Sequence, residues 1–221
     1  MVIFAFMIPL FVLGTVAWFI IGLLRTKASE SFTIATATSF YAHLMLIVGL
    51  LGTLAGAALA FKVAMARTNL RWAYVVYEPR YGGPSYGAPT SNQLVQAQVA
   101  QETVLAVTLI TIGILVAVAH ALLIRFIREV PGASPRWITR GSLVATTVLT
   151  AVAGLGGAVL AVYLTLVFFL VPVASDQPSQ PFADSVGMAL FFLPAWLVCM
   201  TRLVRGTREA RPVVGAALVA S

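Results

Sequence analysis

Charged residues are confined to short segments of this sequence. Asp, Glu, Lys and Arg make up only 10% of the 221 residues, whereas soluble domains contain about 25%. They are absent from five windows that together cover more than half of the chain: residues 1–24, 31–61, 103–124, 141–175 and 185–201. A bilayer-spanning helix needs about 20 mostly apolar residues, and its backbone polar groups must pair within the segment. The windows therefore predict an all-α, polytopic integral membrane bundle of five transmembrane helices and exclude a soluble enzyme.

The distribution of basic residues predicts the orientation of these helices. The predicted spans are residues 2–24, 40–64, 102–127, 141–173 and 183–204. If the amino terminus is outside, ten Lys and Arg residues fall in cytoplasmic segments and four fall outside. Because basic residues mark cytoplasmic loops, this predicts an N-out, C-in topology and explains the net charge of +7 without a nucleic-acid partner. The richness in Ala, Val and Arg favours a bacterial plasma (inner) membrane.

The longest predicted external segment, residues 65–101, is rich in Tyr, Gly and Pro at its centre. Gly and Pro favour turns, and the segment shows no apolar periodicity that would predict a folded domain. One interpretation is that its aromatic side chains contact a neighbouring subunit, because Tyr and Trp are efficient contact residues. These side chains are Trp72, Tyr77, Tyr81 and Tyr86. The alternative is a partly ordered loop on the membrane surface, with aromatic rings at headgroup level.

An internal repeat divides the predicted spans into hairpins. Residues 54–60 match residues 155–161 at five of seven positions, and the third and fifth spans both end in a pair of arginines. The predicted parts are a leading helix at 1–25, a first hairpin at 39–128, a second hairpin at 140–205 and a cytoplasmic tail at 206–221. No basic residue precedes the apolar stretch of the leading helix, so we predict that it is retained rather than cleaved as a signal peptide.

The two-hairpin arrangement, with Pro194-Ala195-Trp196 in its last span, resembles an uncharacterised family of bacterial four-helix integral membrane domains. In that family the second helix of a hairpin carries Pro-x-Trp-x-x-His-Trp near its cytoplasmic end. Here Cys199 and Met200 replace the final His-Trp, and His120 lies at a comparable place in the third span without the Pro or Trp. The resemblance covers residues 39–205. It implies a helical membrane architecture and no particular activity, because the family has none established.

Small residues recur at four-residue spacing in the second and fourth spans. One face of the second span carries Gly52, Gly56 and Ala60. One face of the fourth span carries Ala153, Gly157 and Ala161. Inside lipid, helices adhere through close backbone approach, which small side chains permit. We expect these faces to be helix-packing surfaces, either within this chain or with other integral membrane subunits.

The two histidines are the candidate cofactor ligands. His43 and His120 are predicted to lie near the cytoplasmic ends of adjacent antiparallel helices. Two facing imidazoles could ligate the iron of a b-type haem or the magnesium of a chlorin pigment, because neutral imidazole is a good axial ligand. The alternative is that each histidine hydrogen-bonds a Ser or Thr hydroxyl or a backbone carbonyl across helices. Cys199 is the only cysteine, which excludes an intramolecular disulfide and a cysteine-based metal site.

Lys62 and Glu102 bound the apolar windows of two adjacent spans at the predicted external side. They are interpreted either as an ion gate or as a snorkelling pair that orients the helices at the interface. The sequence places no Asp or Glu within a predicted membrane core and shows no recognisable nucleophile–base set or phosphate-binding loop. We therefore predict that the chain is not an enzyme.

These features favour a structural or accessory subunit of a larger membrane complex of the respiratory or photosynthetic kind. Its expected partners are other integral membrane subunits and the lipid bilayer. An alternative is a membrane anchor for electron transfer that uses His43 and His120 to bind a b-type haem or a quinone. A third possibility is a small-solute transporter or channel, for which Thr-rich stretches at residues 33–39 and 108–111 would supply polar groups.

Overall fold

A computed structural model of the chain describes Gly14, Ala17 and residues 34–68, 91–129, 136–170 and 182–209. The four long ranges hold four α-helices: α1 (Ile34–Thr68), α2 (Ser91–Arg128), α3 (Arg136–Leu170) and α4 (Phe182–Glu209). Each helix is long and apolar enough to cross a membrane. The all-α class and the second to fifth spans are therefore confirmed by length and composition. Apart from Gly14 and Ala17, the leading helix predicted at 1–25 lies outside the described residues, so the first of the five predicted spans and the N-out, C-in topology stay predictions.

All four helices extend beyond the charge-free windows that predicted them, and two of these extensions shorten the predicted external segment. The sequence predicts a span that starts at Glu102, but α2 begins at Ser91, and α1 continues to Thr68. The external segment predicted at 65–101 is therefore shorter at both ends. The eleven residues before Glu102 add about 16 Å of helix at ~1.5 Å per residue. The candidate contact residues Trp72, Tyr77, Tyr81 and Tyr86 lie in the part of this segment that is outside the described residues.

A small apolar cluster explains the extension of α2. Val95 of α2, Ala66 of α1 and Ala183 of α4 are buried together, and Met65 and Val99 pack against them. Val95 and Val99 are one helical turn apart, so both project from the same face of α2. This face makes the contact, and the polar residues between the valines occupy the rest of the helix surface. Two valines at this spacing give too short a pattern to be recognised as a helix in the sequence.

The described helices divide into two compact units. The first unit contains the described residues within 1–47, 118–149 and 197–221, and the second contains those within 48–117 and 150–196. They are called the first unit and the second unit.

In the second unit, α1 and α2 pack antiparallel along a seam of glycines. A Cβ atom on Gly113 of α2 would lie 2.6 Å from the backbone nitrogen of Thr53 and 2.8 Å from the carbonyl oxygen of Gly49. Further along α1, Gly56 lies against Ala106, so residue numbers rise on one helix as they fall on the other. Contacts this short leave no room for a side chain at Gly113. Close backbone approach of this kind holds helices together in lipid.

Helix α4 contacts both α3 and α1 in the second unit. A Cβ atom on Gly157 of α3 would lie 2.8 Å from the Cβ of Met188 and 2.9 Å from the carbonyl oxygen of Ser185. On α4, a Cβ atom on Gly187 would lie 2.8 Å from the carbonyl oxygen of Ala58. The backbone of α4 therefore approaches one helix on each side, and small residues on all three helices make this possible.

The interior of the first unit is mostly polar. Of the ten residues buried in its described part, six carry a hydroxyl or an imidazole: Thr36, Ser39, His43, Ser142, Thr146 and Thr147. The hydroxyls of Thr146 and Thr147 donate to carbonyl oxygens one turn back on α3, at 2.8 and 2.7 Å. A hydroxyl that donates to its own helix can be buried without leaving its proton unpaired.

Candidate functional site: an ion cluster that joins three helices

A buried lysine bridges two carboxylates in the second unit. The Nζ atom of Lys62 on α1 lies 3.1 Å from Oε1 of Glu102 on α2 and 3.3 Å from Oδ2 of Asp184 on α4. The side chain of Lys62 is only 8% exposed, whereas those of Glu102 and Asp184 are 16% and 39% exposed. Hydrogen-bonded ion pairs are the usual way in which a charge is accommodated away from water. The three side chains therefore join α1, α2 and α4 at one point, which is called the ion cluster below.

Glu102 has a further partner within α2. The Nε2 amide of Gln98 donates to Oε1 of Glu102 at 3.0 Å, so this oxygen accepts from both an ammonium and an amide. Gln98 precedes Glu102 by one turn, and this spacing brings the two side chains together on one helix face. The carboxylate is therefore held in place from its own helix as well as from α1.

The formal charge of the ion cluster is −1, because one ammonium faces two carboxylates. Removal of either carboxylate would leave a matched pair, whereas removal of Lys62 would leave two like charges close together. The cost of an unpaired charge rises with its burial, so Lys62 is the member whose loss matters most. The arrangement can hold three helices in a fixed register and can hold a charge near the end of the apolar windows.

The sequence predicted two of the three members. The Lys62–Glu102 ion pair is present, but Lys62 is buried rather than extended towards water as a snorkelling side chain would be. Asp184 was not recognised as a member. The available signal was its position directly before the charge-free window 185–201, which matches that of Glu102 before the window 103–124. Charges that bound different windows on the same side of a membrane lie at a similar depth, but sequence alone does not show that their helices touch.

His43 lies in the first unit and is bonded to its own helix. The imidazole is buried, and its Nδ1 atom lies 2.8 Å from the carbonyl oxygen of Ser39 one turn earlier. A carbonyl can only accept, so Nδ1 carries the proton in this contact and Nε2 is the acceptor nitrogen of the neutral ring. The partner is a backbone carbonyl, as in the alternative to ligation, but it lies on the same helix and not across to another one.

His120 contacts a different face of α1. Its ring centroid lies 5.5 Å from that of Tyr41, and the two rings meet edge to face at 67°. Tyr41 and His43 are two positions apart, which places their side chains roughly 200° apart around the axis of α1. His120 therefore approaches the side of α1 opposite to that from which His43 projects. This arrangement does not suit joint ligation of one haem or chlorin, and ligation by the pair stays a prediction.

The six predicted packing residues differ in how closely they approach a neighbouring helix and in how deeply they are buried. Gly56 and Gly157 lie directly against neighbouring backbones, and Gly52 is 3.9 Å, measured from an added Cβ atom, from the Cα of Gly113. Ala153 is 1% exposed, whereas Ala60 and Ala161 are only partly buried. The sequence did not single out four glycines whose added Cβ atoms would also meet a neighbouring backbone: Gly49, Gly113, Gly154 and Gly187. Their spacing is not a simple four-residue repeat, so the pattern was not visible.

Within the described residues, no group of three or more His, Cys, Asp and Glu side chains is placed to hold a metal ion. Comparison with known proteins adds no assignment: no family model, no curated protein and no solved structure matches the chain. The resemblance to the uncharacterised four-helix membrane family therefore stays a prediction. The function has to be inferred from the residues themselves.

Proposed function

We propose that this chain is a structural or accessory subunit of a larger complex in the bacterial plasma membrane, of the respiratory or photosynthetic kind, without enzymatic activity of its own. It would cross the membrane five times, with its amino terminus outside and its carboxyl terminus in the cytoplasm. The observation that carries this proposal is the exposure of α2. Only 11% of the most apolar stretch of α2 is buried, compared with 33% for α3.

The exposed surface of α2 is large and apolar. Along the described helix it presents Val104, Val107, Ile112, Ile114, Leu115, Val118 and Leu122, each between 47% and 67% exposed. These side chains point to more than one side of the helix, because they occur at spacings that do not keep to one face. Lipid can cover such a surface, but a neighbouring subunit covers it equally well and also gains contact area. The proposal assigns this surface of α2 to a partner subunit.

The interior of the second unit supports the same proposal. Its helices are in contact through the backbones around Gly113, Gly157 and Gly187, and such contacts fix the positions of the helices. The ion cluster adds a second constraint on three of them. Helices held in fixed positions are well suited to present the exposed apolar surface of α2 to another subunit.

Site-specific photo-cross-linking in native membranes tests the proposal. A photoreactive amino acid at Val107 or Leu115 of α2 should give one discrete adduct with another membrane protein. Val148 of α3 is also exposed, at 54%, and serves as the matched control that should give lipid adducts only. Ala106, buried against α1, should react within the chain. If the α2 positions yield only lipid adducts, or only adducts with a second copy of this chain, the accessory-subunit proposal is wrong.

A small-solute transporter is a second candidate, and the polar interior of the first unit favours it. Buried hydroxyls on α1 and α3 are polar groups of the kind that would line a path for a polar solute. Of the Thr-rich stretches, Thr36 is buried, but Thr108 and Thr111 are exposed. Flux of small polar solutes into liposomes that contain the purified chain tests this candidate. Flux equal to that of empty liposomes would rule it out.

A further inference from the structure

Arginines gather at the helix ends of the first unit. Arg125 and Arg128 lie in the last turn of α2, Arg140 lies in the second turn of α3, and Arg202 and Arg205 lie near the end of α4. All five side chains are exposed, and they are called the arginine group below. Within the described side chains of the same unit, the acidic residue is Glu129. The surface formed by these helix ends is therefore strongly positive.

The arginine group lies at the depth of lipid headgroups. Arg125 directly follows the charge-free window 103–124, and Arg202 directly follows the window 185–201. Arg140 directly precedes the window that begins at residue 141. A guanidinium next to the last apolar residue of a span lies at the boundary between hydrocarbon and water. Arg128 and Arg205 lie one turn further out.

An aromatic pair lies at the same level. The rings of Phe40 on α1 and Trp137 on α3 are 6.5 Å apart, and Trp137 precedes Arg140 by one turn. Trp side chains are enriched at the headgroup level of the membrane. The neighbourhood of Arg140 thus combines an interfacial ring with a cation.

The helix dipole accounts for only part of the arginine group. A positive charge is favoured near the carboxyl end of a helix, which explains Arg125, Arg128 and Arg205. It is disfavoured near the amino end, where Arg140 lies, and the first turn of α3 contains no acidic residue that would compensate it. The helix dipole therefore does not account for Arg140, and a bound anion would stabilise its charge.

We propose that the arginine group binds the phosphate of an anionic phospholipid headgroup in the leaflet that these helix ends reach. The chemistry fits, because guanidinium donates two parallel hydrogen bonds to phosphate oxygens, and all five cations are arginine rather than lysine. A lipid phosphate is already present at this depth, whereas an acidic protein surface would have to enter the headgroup layer. The binding needs only that the helices cross a bilayer and does not depend on a partner subunit.

Native mass spectrometry of the full chain in detergent tests this assignment. The purified protein is incubated with equal amounts of phosphatidylglycerol and phosphatidylcholine, and the lipid adducts are counted. The wild type should prefer phosphatidylglycerol. Arg125→Gln, Arg140→Gln and Arg202→Gln should each reduce the preference, by roughly fivefold per arginine removed. The corresponding lysine variants should keep part of it, because they keep the charge and lose the paired hydrogen bonds.

Controls separate the arginine group from general charge. Arg67 is exposed near the other end of α1, and Arg67→Gln should leave the lipid preference unchanged. If a glutamine variant misfolds, the wild type alone still tests the proposal, since its preference should fall as ionic strength rises. Equal adducts of the two lipids on the wild type would overturn the proposal. Loss of the phosphatidylglycerol adducts to an equal concentration of inorganic phosphate would also overturn it, because the site would then be one for free phosphate.

Discussion

In the first unit, α1 and α3 bury mostly hydroxyls and a histidine, whereas the second unit buries mainly glycine and apolar side chains, together with two hydroxyls and one lysine. Hydroxyls that donate within one helix occur in both units, as Thr165 shows in the second, but the ion cluster of the second unit joins different helices. In the first unit, His43, Thr146 and Thr147 donate to carbonyls of their own helices. In the second unit, Lys62 donates to a carboxylate on another helix and forms a salt bridge to a third. A buried polar residue therefore holds helices together only if its bonding partner lies on a different helix.

This difference has an energetic consequence. A hydrogen bond within one helix survives when helices separate, so it adds little to the free energy of their association. A bond between helices is lost on separation, and a buried charge left behind costs free energy in addition. We therefore expect substitutions in the second unit to be the more destabilising.

The largest effect is expected for Lys62→Met. The substitution removes the cation that Glu102 and Asp184 share, and loss of one partner of a buried ion pair costs about 3 kcal/mol. Such losses range over about 3–5 kcal/mol, and we expect a loss of free energy of unfolding near the lower end, because Asp184 is 39% exposed. Unfolding by SDS in detergent micelles, followed by circular dichroism, measures the free energy of unfolding.

Two further variants sharpen this prediction. Arg67→Met removes an exposed cation from the same helix and should change the free energy of unfolding by less than about 0.5 kcal/mol. A triple variant with Lys62→Met, Glu102→Gln and Asp184→Asn has no unpaired charge and should regain more than half of the loss. Wild-type stability in Lys62→Met would show that the ion cluster does not hold the helices.

The next largest loss of stability is expected for a substitution at Gly157 of α3, but not for one at the adjacent Gly156. Gly157→Ala places a methyl group where Met188 and Ser185 are 2.8 and 2.9 Å away, and forced overpacking of this kind costs about 1–3 kcal/mol. Among the described residues, no atom of a neighbouring helix lies within 4 Å of a Cβ atom placed on Gly156. Gly156→Ala should therefore be neutral or stabilise the helix by up to about 1 kcal/mol. The same unfolding assay compares them, and equal effects would contradict the packing of α3 on α4.

The spans could be predicted from the sequence, because lipid excludes charge and the charge-free windows report this exclusion directly. The extension of α2 to Ser91 could not, since only Val95 and Val99 mark it. A helix outside the hydrocarbon is stabilised by tertiary contacts, and two valines in a polar segment do not identify their partner.

The rotation of each helix about its own axis could not be predicted from the sequence either. Apolar residues surround each span, so the sequence does not show which side of a helix faces its neighbours. Gly56 was singled out as a small residue of α1, but the sequence did not show that Gly113 of α2 packs against Thr53 and Gly49, or that Gly187 of α4 packs against Ala58. The same limit led to the pairing of His43 with His120. Their positions within the spans predicted that the two histidines lie at a similar depth in the membrane. The rotation of α1 about its own axis, however, places Tyr41 rather than His43 against His120.

A smaller effect is expected inside the first unit. Thr146→Val removes a buried hydroxyl whose donated hydrogen bond stays within α3, so the loss should be about 1 kcal/mol or less. Thr165→Val is the matched control, because Thr165 also donates to a carbonyl one turn back and is only partly buried. Its effect should be smaller still. A loss above that of Gly157→Ala would reverse the order of the two units.

The smallest effect is expected for His120→Phe. The aromatic ring is retained, so the contact with Tyr41 persists, and the free energy of unfolding should change by less than about 0.5 kcal/mol. His120→Ala removes the ring and should cost more, about 1 kcal/mol. Visible absorption of both proteins, purified from native membranes, tests the cofactor alternative in the same samples. If His120 ligates a haem, the wild type will show a Soret band that shifts on reduction, and His120→Phe will abolish or shift it. Because His120 packs on Tyr41 rather than facing His43, we expect the spectra of wild type and variant to be the same.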